Sequence, residues 1–226
     1  GCGAFDLVAG CSGFVYALVT GTQFIQSGAC RNVLVIGAES LSRVVDWTDR
    51  TTCVLFGDGA AAVVLRATDR EGGLLSYVLG SDGAGAENLQ IPAGGTRTPA
   101  THETVEARQH YLKMNGREVY KFASRILPKA FHQAVEKAGV SPADVDLLIP
   151  HQANLRIIDS ARDSLSLDGD SVYVNVDKYG NTSAASIPIA LCEAIAEGRI
   201  RPGAVLAMVA FGAGLTWGAV LWKWQG

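Results

Sequence analysis

One order of parts is repeated in the two halves of this 226-residue chain, and this repeat limits the fold more than any other feature. The first half carries, in order, FDLVA (5–9), Gly10-Cys11, a helical stretch, VLVIGA (33–38), FGDG (56–59) and AAAVVL (60–65). The second half carries VYVNV (172–176), Gly180-Asn181, a helical stretch, VLAMVAF (205–211), FGAG (211–214) and WGAVLW (217–222). We interpret the apolar runs as strands and the FGxG motifs as tight turns at equivalent places. A duplicated α/β layer is the simplest fold with this order.

The second half has opening elements that the first half lacks. A long helical segment and the buried strand LLIP (147–150) precede Asn181, whereas only ten residues precede Cys11. Because repeat halves are built from equivalent units, we expect the natural polypeptide to continue N-terminally by roughly 70 to 110 residues. We divide the present chain into residues 1–103, the rest of the first half, and residues 104–226, the second half.

The remaining segments are assigned from their periodicity. The spacing of apolar residues predicts helices over Ser12–Ser27 and Ser183–Glu197. Residues 80–101, rich in Gly, Ala, Pro and Thr, predict a long surface loop. Residues 105–138 predict a helical region, with Pro128 near a helix start or break.

Composition excludes several classes of protein. Hydrophobic residues make up 48% of the chain and charged residues 18%, which is too apolar for intrinsic disorder, and a net charge of -3 argues against a nucleic-acid surface. The uncharged stretch from Ala204 to Trp222 is long enough for a membrane span, but Gly212, Gly214 and Gly218 divide it, so we predict two buried strands and a glycine turn. The five cysteines contain no CxxC pair, so we expect no metal site and a reducing, cytoplasmic setting.

Cys11 is the first candidate for chemistry. It lies in Ala-Gly-Cys-Ser-Gly, between an apolar run and a helical stretch. Its sulfur should lie at a helix N-terminus, where free backbone N–H groups and the helix dipole favour a thiolate. A lone cysteine among small residues is more often inert packing, so the motif alone leaves both interpretations open.

His151 and Asn181 occupy the same kind of place. His151 directly follows LLIP, at the strand end where α/β folds have their ligand crevice, and Asn181 precedes a helix in Tyr-Gly-Asn-Thr-Ser. A buried or capping histidine and an ordinary Asn helix cap are the alternatives. Because Cys11, His151 and Asn181 each follow a predicted strand, we expect the three side chains to converge.

Five motifs carry a family resemblance that covers essentially the whole chain: AGCSGFVYAL, TDRTTCVLFGDGAAAVVL, IPHQANLRII, YGNTSAASIPIAL and FGAGLTWGAVL. Together they resemble β-ketoacyl-acyl-carrier-protein synthase III, the initiating condensing enzyme of type II fatty-acid synthesis. The resemblance implies an α/β fold with thiolase-like duplicated α-β-α-β-α layers, of which the first half is incomplete at its N-terminus. It also implies a homodimer that needs no cofactor, because acyl-CoA and malonyl-acyl-carrier protein are substrates.

The resemblance also implies a role for each main residue. Cys11 would be the nucleophile that takes an acyl group from acyl-CoA. His151 and Asn181 would hydrogen-bond the thioester carbonyl of malonyl-acyl-carrier protein and stabilise the enolate that decarboxylation leaves. The backbone N–H groups of Cys11 and Ala213 would form the oxyanion hole, and Ala213 stands where the family usually has Gly.

Supporting positions are implied by the same resemblance. Asn154 would order the pantetheine end of the substrate channel, and Arg50 would contact the adenine of CoA. Basic residues near the expected channel mouth would contact the acidic carrier protein, although each could be an ordinary solvated charge: Lys121, Arg156 and Arg162. Arg117 stands where the family often has Asn, which leaves cofactor contacts there open.

Other functions fit parts of the sequence. A papain-like cysteine peptidase has Cys, His and Asn in this order, but its flanking signature is absent here. A chalcone-synthase-like polyketide synthase shares the three residues and uses malonyl-CoA without a carrier, whereas HQANLRII and the C-terminal motif favour the carrier-dependent enzyme. A non-enzymatic fragment that folds only with a missing piece is the third alternative.

Overall fold

Two β-sheets and the helices between them position the residues of interest. The computed structural model describes residues 1–226. Its helices are α1 (Gly13–Gln26), α2 (His102–Glu106), α3 (Gly116–Ala138), α4 (Leu155–Ser164), α5 (Val176–Tyr179) and α6 (Ser186–Ala196). Its strands are β1 (Asn32–Ser40), β2 (Asp58–Arg66), β3 (Gly73–Ser81), β4 (Leu89–Gln90), β5 (Lys113–Met114), β6 (Leu147–Pro150), β7 (Val205–Gly212) and β8 (Thr216–Lys223).

The larger sheet is mixed and has the order β3-β8-β7-β6. Strands β6 and β7 are parallel, while β8 runs antiparallel to both β7 and β3. Strands β1 and β2 form a second, antiparallel sheet in which Val35 lies opposite Val63. Strands β4 and β5 form a short separate pair.

The duplication predicted from sequence is present in the order 3-10 turn, helix, strand, strand. A turn over Gly10–Ser12 leads into α1, β1 and β2, and a turn over Ser183–Ala185 leads into α6, β7 and β8. Side chains from both helices and both sheets meet in one buried cluster that includes Phe14, Val35 and Ile187. Helices α1 and α6 therefore form the central layer of the fold.

A second buried cluster covers the other face of the larger sheet. Phe122, Ile126 and Phe131 of α3 pack there against β7 and β8, together with Ile158 of α4. The order of layers is thus β1-β2, α1 and α6, the larger sheet, and α3 with α4. This arrangement confirms the thiolase-like α/β fold that the motifs imply.

The strand predictions for FDLVA (5–9) and VYVNV (172–176) are wrong. Residues 5–9 have no strand partner, and Val8 is 91% exposed. Val172 makes a single parallel bridge to Leu148 of β6, and Val176 already begins α5. The two misses have different reasons: no strand lies beside residues 5–9 to pair with FDLVA, whereas VYVNV has β6 beside it but pairs only at Val172 before the chain turns into α5.

The FGxG motifs do not occupy equivalent turns. FGDG opens β2, since Asp58 is its first residue, whereas FGAG closes β7 at Gly212. The turn before β2 lies instead within residues 50–55. The motifs share a different property, because Phe56 and Phe211 line the same cavity.

The helical region predicted over residues 105–138 is broken, and Pro128 is not at the break. The chain turns at Arg108, whose φ is 53°, and α3 begins only after Asn115, which caps it by accepting from Glu118 N. Pro128 lies inside α3 and is buried. Burial of the apolar face of α3 outweighs the lost backbone hydrogen bond, which costs about 3 kcal/mol.

Strand β3 was not expected, since the sequence places no strand between AAAVVL and the loop predicted over residues 80–101. That loop contains a 3-10 turn over Gly83–Asn88 and the short strand β4. The pairing of β3 with β8 argues for a boundary before Gly73. The division at residues 103 and 104 stays a prediction.

The uncharged stretch from Ala204 to Trp222 forms β7, a turn and β8, as predicted. No helix combines the length and the apolar character that crossing a bilayer requires.

Candidate active site

The three residues singled out from sequence line one cavity. Cys11, His151 and Asn181 border a space of about 280 Å³ together with Phe56 and Phe211. Cys11 comes from the turn before α1, His151 directly follows β6, and Asn181 lies between α5 and the turn over Ser183–Ala185. The two halves of the duplication thus both contribute to the cavity. No group of three or more His, Cys, Asp or Glu side chains is placed to hold a metal ion.

Cys11 is a buried, protonated thiol. Burial raises its pKa to about 11, and the charge of Glu39 adds to the rise, although the nearby Ser183 hydroxyl and the backbone N–H groups of Cys11 and Ala213 lower it. The expected preference for a thiolate is therefore wrong for the resting site, because desolvation outweighs the helix N-terminus and its N–H groups. The same N–H groups place two backbone donors beside the sulfur.

Close packing of backbone holds those donors in place. A Cβ on Gly212 would lie 2.5 Å from Cys11 N, so β7 passes closer to the cysteine than any side chain allows. Gly10 has a φ of +55°, and a Cβ there would meet Ala213 N at 3.0 Å. Thr216 Oγ1 donates to the Ala9 carbonyl at 2.8 Å and so joins the start of β8 to the residue before the cysteine turn.

His151 is buried and neutral. Its backbone N donates to the Val209 carbonyl at 2.8 Å, and its ring meets Phe211 edge-on with the ring centroids 5.6 Å apart. Its Nδ1 lies 2.6 Å from Ser186 Oγ, whereas its Nε2 has no hydrogen-bond partner within the protein. Burial lowers the pKa of His151 to about 3, so the uncharged imidazole is the form present near neutral pH.

Asn181 forms hydrogen bonds with residues of both halves of the repeat. Its backbone N donates to the Leu55 carbonyl at 2.8 Å, and its own carbonyl accepts from Gly57 N at 2.9 Å. Its Oδ1 accepts from Ser183 N, two residues on, at 2.8 Å, whereas the N-cap of the turn over Ser183–Ala185 is Thr182. That bond fixes the amide, whose Nδ2 donates to no acceptor in the protein. The alternative that Asn181 is a helix N-cap is therefore wrong, because Thr182 and Ala185 occupy the N-cap positions.

The supporting positions separate into two groups. Asn154 and Arg156 line the cavity, and Asn154 also caps α4 by accepting from Arg156 N at 2.9 Å. Three other basic residues do not line it: Arg50, Lys121 and Arg162. Lys121 pairs with Glu118 at 2.7 Å, and Arg162 pairs with Asp159 at 2.8 Å and with Asp163 at 3.1 Å. Their roles remain predictions, and those of Lys121 and Arg162 are weakened by the neighbouring carboxylates.

Four residues with direct contacts to this site were missed from sequence: Gln152, Ser183, Ser186 and Thr216. Two of them lie in Thr-Ser-Ala-Ala-Ser, directly after Asn181. A run of small hydroxyl residues next to a candidate amide is the signal that could have indicated them. The partners of Ser186 and Thr216 are distant in sequence, so their particular contacts need the fold.

A buried thiol with two backbone donors, beside two neutral side-chain donors in duplicated α/β layers, defines a thiolase-like condensing enzyme. The family model described as 3-oxoacyl-[acyl-carrier-protein (ACP)] synthase III matches residues 5–83, and the model of its C-terminal part matches residues 135–224. The chain belongs to the β-ketoacyl-acyl-carrier-protein synthase III family, the acyltransferases that initiate fatty-acid synthesis.

Individual relatives support the same assignment. The β-ketoacyl-acyl-carrier-protein synthase III of Caldanaerobacter subterraneus subsp. tengcongensis is 54% identical over 222 residues, which are 98% of this chain and 67% of that protein. The one from Clostridioides difficile is 53% identical over 221 residues, with the same coverage of 98% and 67%. The crystal structure of the Thermus thermophilus synthase III matches with a TM-score of 0.90 at 48% identity and covers 99% of this chain and 68% of that one. The chain thus spans about two thirds of the length of these relatives.

Proposed function

We propose that this protein condenses an acyl group, acetyl being the expected one, from acyl-CoA with malonyl-acyl-carrier protein through an acyl-Cys11 thioester. One observation carries the proposal. Cys11, His151 and Asn181 line a single cavity, and the backbone N–H groups of Cys11 and Ala213 lie beside the Cys11 sulfur. A nucleophile and two separate pairs of donors are what two successive oxyanions require.

The first step is acyl transfer to the cysteine. The sulfur of Cys11 attacks the thioester carbonyl of acyl-CoA, the bond from that carbonyl to the CoA sulfur breaks, and the thiol proton goes to the departing CoA thiolate. Because the pKa of Cys11 is about 11, the thiol loses this proton as the attack proceeds and is not ionised beforehand. The N–H groups of Cys11 and Ala213 stabilise the tetrahedral oxyanion.

The second step is decarboxylation of the malonyl group. The bond to the carboxylate breaks, carbon dioxide leaves, and its electron pair forms an enolate whose oxygen accepts from His151 Nε2–H and Asn181 Nδ2–H. Both donors are neutral, which suits a buried site because neither needs a counter-charge. No redox change occurs, and the proposed steps use no cofactor.

The third step forms the new carbon–carbon bond. The enolate carbon attacks the carbonyl of acyl-Cys11, and the oxyanion that results is again held by the N–H groups of Cys11 and Ala213. When it collapses, the bond from carbon to the Cys11 sulfur breaks. The β-ketoacyl group leaves on the carrier protein, and the thiolate takes up a proton.

The position of Arg156 supports the proposal that the malonyl group is delivered by a carrier protein. It lines the cavity and forms no salt bridge, so its charge is available to an acidic partner at the mouth of the cavity. Asn154, beside it, would contact the pantetheine arm, and Arg50 would contact the adenine of CoA. We assign weaker contributions to Lys121 and Arg162, because each is paired with carboxylates of its own helix.

A homodimer and a cytoplasmic location complete the proposal. The outward face of the β1-β2 sheet supports an interface, because Leu34 and Ile36 of VLVIGA are 59% and 56% exposed. The absence of a helix able to span a bilayer is compatible with the location. Sedimentation of the purified protein tests the dimer, and a monomer at micromolar concentration would contradict it.

The proposed function is tested directly by assaying whether the protein catalyses condensation with malonyl-acyl-carrier protein. Purified protein is incubated with acetyl-CoA and with either malonyl-acyl-carrier protein or malonyl-CoA, and the products are identified by mass spectrometry. We expect acetoacetyl-carrier protein as the main product. A product formed only from malonyl-CoA would indicate the polyketide-type reaction instead, and no condensation with any acyl-CoA would reject both functions.

A further inference from the structure

A serine hydroxyl lies directly behind the catalytic imidazole. Ser186, the first residue of α6, places its Oγ 2.6 Å from His151 Nδ1, on the opposite side of the ring from Nε2. Both residues are buried, with 2% and 1% of their surfaces exposed. No carboxylate hydrogen-bonds this histidine, so Ser186 is its only polar partner through the ring.

The hydrogen bonds at Ser186 Oγ determine which nitrogen of the His151 ring is protonated. Ser186 Oγ also accepts from Gln152 N at 3.3 Å and has no other partner in the protein. A proton on Nδ1 would leave the buried hydroxyl with two donors and no acceptor for its own proton. A proton on Nε2 lets Ser186 donate to Nδ1 and satisfies every group, as buried polar groups normally are.

The neighbouring glutamine fixes the direction of the second bond. Gln152 Nε2 donates to the Pro150 carbonyl at 2.8 Å and to the Tyr173 carbonyl at 3.1 Å. Its Oε1 accepts from Asn175 N at 2.9 Å. These three bonds hold the buried Gln152 side chain in place, and the backbone N–H of the same residue donates to Ser186 Oγ, which leaves the hydroxyl proton for His151 Nδ1.

We propose that Ser186 is a positioning residue that locks His151 in the tautomer with its proton on Nε2. The lock makes His151 a hydrogen-bond donor to the enolate oxygen and prevents it from acting as a base toward Cys11. The inference rests on the proposed condensation, for which it assigns a residue that touches neither substrate. It accounts for a histidine that is buried and neutral yet has no acidic partner.

The tautomer can be measured without substrate. Nitrogen NMR of protein labelled with ¹⁵N-histidine distinguishes protonated from unprotonated ring nitrogens, and the spectrum of His151→Gln identifies the signal among the four histidines. We expect wild-type His151 to carry its proton on Nε2, and Ser186→Ala to populate the Nδ1-protonated form. Wild-type protein protonated on Nδ1 overturns the proposal, whether or not Ser186→Ala folds.

Kinetics separate a positioning role from a structural one. Ser186→Ala should slow decarboxylation about tenfold, the effect of one lost neutral hydrogen bond, and leave acylation of Cys11 unchanged. Ser186→Thr, which keeps the hydroxyl, should recover most of the rate. Ser76→Ala is the matched control, because that buried hydroxyl on β3 donates to the Ala134 carbonyl outside the cavity and its loss should leave both steps intact.

Two further results would count against the proposal: an unchanged His151 tautomer in Ser186→Ala, or an equal loss of acylation and decarboxylation in that variant. A protein with the Nε2 tautomer that condenses nothing would support the lock and reject only the proposed function. The two hypotheses therefore fail separately.

Discussion

Removal of His151 or Asn181 should affect one half-reaction and spare the other. In the proposed mechanism each side chain presents one neutral N–H donor to the enolate oxygen and takes no part in acyl transfer. His151→Ala and Asn181→Ala should therefore slow release of carbon dioxide from malonyl-acyl-carrier protein while Cys11 acylation proceeds at the wild-type rate.

The size of the effect follows from the number of donors. One donor lost from a preorganised pair costs about 2.7 to 4 kcal/mol, or roughly 10²- to 10³-fold in rate. Asn181→Ala should also lower stability by about 0.5 to 1.5 kcal/mol, because it removes the acceptor of Ser183 N. Asn181→Asp keeps that acceptor but turns a carboxylate toward the enolate, so it should decarboxylate more slowly than Asn181→Ala.

The assay follows the two half-reactions separately. Intact-protein mass spectrometry measures the rate at which acetyl-CoA acylates the protein, and release of labelled carbon dioxide measures decarboxylation. His132→Ala is the control, since His132 is exposed on α3 and lies outside the cavity. A parallel loss of acylation and decarboxylation in His151→Ala would refute the assignment of this residue to the enolate.

Three further predictions follow from the geometry. Gly212→Ala places a methyl group 2.5 Å from Cys11 N, so it should lower both Tm and the acylation rate, with a strain cost of about 1 to 3 kcal/mol that thermal melts will measure. Burial lowers the pKa of His151 from 6.5 to about 3, so between these two pH values the unfolded protein binds a proton at this residue and the folded protein does not. The free energy of unfolding should therefore fall as pH drops from 6.5 to about 3, by up to about 1.4 kcal/mol per pH unit. His151→Gln should make the free energy of unfolding less dependent on pH in this range. Arg156→Glu should raise KM for malonyl-acyl-carrier protein and leave KM for malonyl-CoA unchanged, and equal KM values for wild type and variant would remove Arg156 from the docking surface.

The residues at the site were easier to predict than the elements around them. Cys11, His151 and Asn181 each stand next to a glycine or at the end of an apolar run, which is local information, and all three line the cavity. Strand LLIP was found because it is buried on both faces and reads as a continuous apolar run.

Features that depend on distant partners were not predicted. VYVNV has the composition of a strand, but only Val172 forms a bridge with β6, and Asn175 N donates to the Gln152 side chain instead of to a neighbouring strand. The role of Ser186 depends on a histidine 35 positions away. The protonated state of Cys11 depends on burial by both halves of the chain, which outweighs the local effect of the helix start.

The most direct test of the central claim is the site of acylation. The protein is incubated with acetyl-CoA, digested, and mapped by peptide mass spectrometry across its five cysteines. The proposed mechanism predicts one acetyl group, on Cys11, that disappears when malonyl-acyl-carrier protein is added. An acetyl group on any other cysteine, or one on Cys11 that malonyl-acyl-carrier protein does not remove, would contradict it.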